Sequence, residues 1–155
     1  MAVITNTMLL VRRLSELQRR RDGLVERQDR LRRSLPEWTF VPLQLVGMSA
    51  EEIRSMMSDL SKAEKEAGLD EIEREIEQVD RQIEELENML LTTPARNLES
   101  VMAVLDLAVS RFRATTVSDP DDVFYDYGDA RVLLFLERAA EDLRAMLLAE
   151  QRTAS

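Results

Sequence analysis

The chain has 155 residues, the size of one ordinary domain, with 33% charged residues, 5% aromatics, four glycines, four prolines and a formal charge of -9. That balance suits packed amphipathic helices rather than sheets or a disordered tail, and the negative charge argues against nonspecific binding to nucleic acid or an anionic membrane. With no cysteine and no histidine, disulfides, thiolate sites, the commonest general base and the usual zinc and di-iron ligands drop out.

The first predicted helix runs from about Asn6 to Leu35, with Val3, Leu10, Leu17, Leu24 and Leu31 repeating every seven residues and Leu14 and Leu35 on the alternating seam positions. Its arginines interleave with the leucines, so it lacks the basic DNA-reading helix that precedes a zipper in a basic zipper factor. Met1 to Val11 has no basic n-region, and its apolar cluster runs into Arg12-Arg13 without a small-residue cleavage site. The longest apolar runs fall far short of the ~20 residues needed to cross a bilayer. A soluble, cytoplasmic protein is expected. Arginine outnumbers lysine nineteen to two, a bias typical of a GC-rich bacterial genome.

Pro36 ends this helix, and residues 36–48 read as an apolar loop, with Trp38, Phe40, Val41, Leu43, Leu45 and Val46. Such a segment either covers a core edge or presents Trp38 and Phe40 as an aromatic hot spot for a partner. Ser49 and Glu52 form a capping box that opens the second helix, and Met48 is placed to staple onto Ile53. Ile53, Met56, Met57, Leu60 and Ala63 make its apolar face. Gly68 predicts a break before the third helix, the alternative being one bent helix from 50 to 91.

In the third helix Leu69, Ile72, Ile76, Val79, Ile83, Leu86 and Leu90 follow the alternating three-and-four spacing of a coiled coil. Residues 71–91 carry two arginines and eight acidic residues, whereas residues 1–35 carry nine arginines and four acidic residues. A parallel self-pair of the first helix stacks Arg21 on Arg21; self-pairs of the third set Glu75 against Asp80, or gather Glu73, Asp80 and Glu87. An antiparallel coiled-coil hairpin between the two avoids both conflicts, with Arg13, Arg20 and Arg27 facing the shoulder of Glu73, Asp80 and Glu87.

Thr92 to Arg96 turns the chain, and Asn97 is placed to cap a fourth helix from Leu98 to about Ala114, with Leu98, Val101, Met102, Leu105, Ala108, Val109 and Phe112 as its wide apolar face. A fifth, from about Asp129 to Gln151, is the most apolar of the set and is expected to sit centrally. The reading is all-α: a bundle of about five helices in a single domain, 1–155, with helices 2 and 3 in 49–91 and helices 4 and 5 in 92–155.

At the junction of the third and fourth helices, Thr93-Pro94-Ala95-Arg96-Asn97-Leu98-Glu99-Ser100-Val101 follows an acidic heptad helix, and Ala140-Glu141-Asp142-Leu143 lies in the last helix. In these motifs, over about half its length, the chain resembles small uncharacterised helical proteins of alphaproteobacteria, some of them phage-associated. It departs from them at Asn97 and Ser100, where many have Thr and Gly. The resemblance implies a helical fold and brings no activity, cofactor or site residues with it.

Carboxylates alone can hold magnesium, as in all-α nucleotide pyrophosphohydrolases, and Glu84 with Glu87, plus Asp126 with Asp129, are the nearest spacings to that pattern. A glutamate-rich coil yields such pairs by chance. The five aspartates between Ser118 and Asp129 do not fit an EF-hand, because Val123, Phe124 and Ala130 occupy positions 5, 6 and 12 of a loop begun at Asp119. They read instead as an Asp-Pro start to a short helix and a cap on the last helix, with Phe124, Tyr125 and Tyr127 packing locally.

The sequence therefore points to a noncatalytic helical interaction protein, an adaptor, regulatory or assembly factor without cofactor, with Trp38, Phe40, Tyr125 and Tyr127 as contact candidates and a homodimer as a natural state. The alternatives are an acidic inhibitor imitating nucleic acid, which needs Glu71 to Glu87 exposed as a stripe, and the magnesium hydrolase.

Overall fold

The computed structural model describes residues 5–36 and 47–155. Trp38 and Phe40 lie outside them. The described residues form five helices and no strand: α1 (Asn6–Arg33), α2 (Ala50–Glu66), α3 (Leu69–Thr92), α4 (Leu98–Thr115) and α5 (Tyr127–Thr153). This is the all-α helical bundle read from composition and periodicity. The chain divides into two compact units, Ser15–Glu85 and Met1–Leu14 with Leu86–Ser155.

In the unit Ser15–Glu85, Leu17 and Leu24 of α1 and Leu69, Ile72, Ile76, Val79 and Ile83 of α3 are buried. The two heptad stripes thus supply its apolar interior, each fully buried leucine or isoleucine contributing about 1.5–3 kcal/mol. The helices run antiparallel, since rising numbers on α1 meet falling numbers on α3. Arg21 Nε donates to Asp80 Oδ1 at 2.5 Å, Arg20 reaches Glu75 at 4.0 Å, and Gln28 and Arg32 both donate to Glu73 at 3.4 Å. The acidic partners Glu73 and Asp80 are those of the sequence reading, but Arg32 and Arg21 reach them. Arg13 and Arg27 are exposed. The hydrogen bond to Asp80, with a smaller contribution from its charge, holds the Arg21 guanidinium above its ordinary pKa.

The capping box at α2 is present: Ser49 Oγ accepts from Glu52 N at 3.2 Å while Glu52 Oε2 accepts from Ser49 N at 3.2 Å. The break before α3 is real and rests on Gly68, whose φ of +82° lies in the left-handed region and whose amide donates to Lys65 O at 3.1 Å. Apart from its two chain neighbours, no atom of the described residues lies within 4 Å of where a Cβ would stand, so an added methyl meets chiefly backbone strain. Gly68→Ala is expected to destabilise the chain by about 1–2 kcal/mol, read from the urea midpoint of the helical circular-dichroism signal; an unchanged midpoint would mean that the turn tolerates another conformation.

In the other unit, α4 and α5 pack antiparallel around Met102, Val109, Leu133 and Ala140, with Leu105, Phe112, Leu136, Leu143 and Leu147 against them. A polar knot ties two helix starts together. Thr5 Oγ1 accepts from Met8 N at 3.3 Å, Asn97 Oδ1 accepts from Ser100 N at 2.8 Å, and the Thr5 and Ser100 hydroxyls share a 2.5 Å hydrogen bond. Ser100 is fully buried, so the Thr5 hydroxyl satisfies a group that water cannot reach.

Two local expectations are corrected. The stretch after Asp119 forms turns rather than a short helix, because Asp119 Oδ1 accepts from Asp121 N at 3.0 Å and Asp122 Oδ1 from Phe124 N at 2.8 Å, side-chain bonds that compete with helix propagation. Phe124 is exposed there rather than packed. Nor is α5 central. It buries Leu133 and Ala140, while Val132, Leu134, Phe135, Met146 and Leu148 are exposed, because its apolar residues span a wider arc than one neighbouring helix covers.

Candidate interaction surface

The α4/α5 hairpin has two unlike edges. Along one, Glu99, Asp106 and Arg113 recur every seven residues on α4 and meet Gln151, Arg144 and Glu137 on α5 at 3.5, 2.8 and 3.0 Å. That spacing keeps all six on one side of the seam, closing it with polar contacts worth about 0.2–1 kcal/mol each.

At about 100° per residue, Val101, Val104 and Ala108 on α4 and Val132, Phe135, Ala139 and Met146 on α5 fall on the opposite side. All seven are exposed, Phe135 by 68% and Met146 by 62%. Arg131 holds its guanidinium over the Tyr127 ring at 5.7 Å and the Phe135 ring at 6.0 Å, which orients these aromatics without covering them. On the far flank of α4, Val104 and Ala108 also line a cleft of about 270 Å³ with Leu90, Leu91 and Leu107. Leu91 is 84% exposed, and the cleft's polar rim is the ion pair between Glu87 and Arg111. The apolar surface therefore continues from the end of α3 across α4 to α5.

Of the contact candidates read from sequence, Tyr127 is exposed at the start of α5 and Tyr125 is half-buried in the preceding turn. Phe135, Val104 and Leu91 were not among them. The signal for Phe135 and Val104 was present in the excess width of the apolar arcs on α4 and α5, which a single shared seam cannot absorb.

The carboxylates considered for magnesium have other work. Glu87 pairs with Arg111, and Asp126 Oδ1 caps α5 by accepting from Asp129 N at 2.9 Å. Among the described residues no three carboxylates converge as a metal ion requires, and no helix is long and apolar enough to cross a membrane. Comparison with family models, with curated proteins and with solved structures gives no match.

Proposed function

We propose that this chain is a noncatalytic helical interaction protein, an adaptor, regulatory or assembly factor that works through protein contacts in the cytoplasm. The observation that carries this reading is the open apolar edge of the α4/α5 hairpin, where Val104, Phe135 and Met146 stand in water opposite an edge closed by charged pairs. Aromatic and methionine side chains grouped on one face are the composition of an interface centre rather than of ordinary surface. In this reading α1 and α3 form an antiparallel coiled coil that stiffens the chain.

The acidic-mimic alternative has less support, because arginines of α1 engage Glu73, Glu75 and Asp80, while Arg111 engages Glu87. The stripe that a basic partner would read is thereby interrupted. The magnesium-hydrolase alternative has less support for a like reason, since Glu87 and Asp126 are held in an ion pair and a helix cap.

The test is affinity capture from native cells with the tagged full chain and its Phe135→Glu and Val104→Glu variants. The expected result is a partner, another protein or untagged copies of the chain itself, retained by the parent and lost by both variants while their helical circular dichroism is unchanged. A capture profile identical for all three would overturn the proposal.

A further inference from the structure

Resting on the reading of the chain as an interaction protein, the geometry points to the occupant of the open α4/α5 edge: a second copy of this chain, docked about a two-fold axis with its α5 antiparallel. The exposed side chains of α5 are arranged as such an axis requires. Phe135 and Met146 stand eleven positions apart, about 16 Å along the helix, with exposed Ala139 near their midpoint. An axis crossing α5 between residues 140 and 141, close to Ala139, brings Phe135 against the partner's Met146, and Met146 against the partner's Phe135. The alanine admits close approach, and both contacts join a thioether to an aromatic ring.

The charges share the same centre. Arg138 and Asp142 flank it, two positions on either side of residue 140, and pair within the chain at 3.2 Å with both side chains largely exposed. Rotation about the axis places each beside its opposite charge in the partner, so the pairing is self-complementary, as an isologous interface demands. The net charge of -9 opposes association in general, but Arg138 and Asp142 balance one another at this centre.

The area is sufficient. The 18 residues of α4 span about 27 Å, and two helices about 9 Å apart give a face roughly 18 Å wide, so two copies cover on the order of 1,000 Å². That reaches the lower bound for a specific interface.

Sedimentation of the full chain from about 1 to 100 µM tests the inference. The expected result is a species of twice 17.9 kDa, with Phe135→Glu raising the dissociation constant by about 100-fold while helicity is unchanged. Arg138→Asp and Asp142→Arg are each expected to weaken the dimer alone, because like charges then meet across the axis. An equimolar mixture of the two is expected to dimerise as well as the parent, because every crossing pair is opposite again. Three results would overturn the two-fold dimer: a monomeric parent at the highest concentration, a Phe135→Glu variant that dimerises like the parent, or a mixture no better than its components. A monomeric parent that still captures a different protein through Phe135 defeats this inference alone, whereas a monomer with no Phe135-dependent partner defeats the interaction reading as well.

Discussion

Leu17→Ala is expected to lower the unfolding free energy by about 2–5 kcal/mol, the range for emptying a packed leucine site. Leu17 is 2% exposed on α1, in the unit where that helix lies along α3. Truncation removes three buried carbons and leaves a void that neighbouring leucine and isoleucine side chains fill only in part. Against a total of about 5–15 kcal/mol for a chain of this kind, one substitution consumes a large share of the stability. Leu91→Ala is the control: the same chemical change at a residue 84% exposed is expected to move stability by less than about 0.5 kcal/mol. Urea unfolding followed by circular dichroism measures both. Equal effects would mean that the α1/α3 seam is not where the stability lies.

Thr5→Val is expected to destabilise by about 2–4 kcal/mol, because one hydroxyl does two things. It accepts from the Met8 amide at the start of α1, a helix-cap interaction worth about 0.5–2 kcal/mol. It also satisfies the buried Ser100 hydroxyl, and stranding that group adds about 1–3 kcal/mol. Adding Ser100→Ala to Thr5→Val removes the stranded group and should recover most of the second contribution. A double-mutant cycle reads the coupling directly. Strict additivity of the two substitutions would show that the hydroxyls act independently.

The sequence made the helices legible because their signals are local and redundant. Ser49 with Glu52, Gly68 and Asn97 mark helix ends by backbone chemistry that needs no neighbour, and the α3 seam carries the same signal at seven apolar positions. The pairing of α1 with α3 was legible because unlike charge separates the right partner from self-pairing. Which arginine meets which carboxylate was not. That choice depends on rotation about the helix axes, and Arg21, the residue whose charge opposes a parallel self-pair of the first helix, is the one that finds Asp80. The position of α5 was misread for a related reason. Hydrophobic width records how much surface wants cover without saying whether the cover comes from the same chain. Phe135 and Met146 look like core residues in sequence, and coordinates are needed to find them in water.

The order in which the chain is made gives the α1/α3 pairing a further consequence. Arg32 and Glu73 are separated by 41 positions, and Arg21 and Asp80 by 59. At about 5–20 residues per second, α1 leaves the ribosome roughly 2 to 12 s before its partner strand exists. During that interval Leu17 and Leu24 lack their α3 neighbours, and copies on adjacent ribosomes of one message carry the same stripe. The arginines that later select α3 then do a different job, since two nascent first helices repel one another. The charge that decides the final pairing also protects the unfinished chain from pairing with its own siblings.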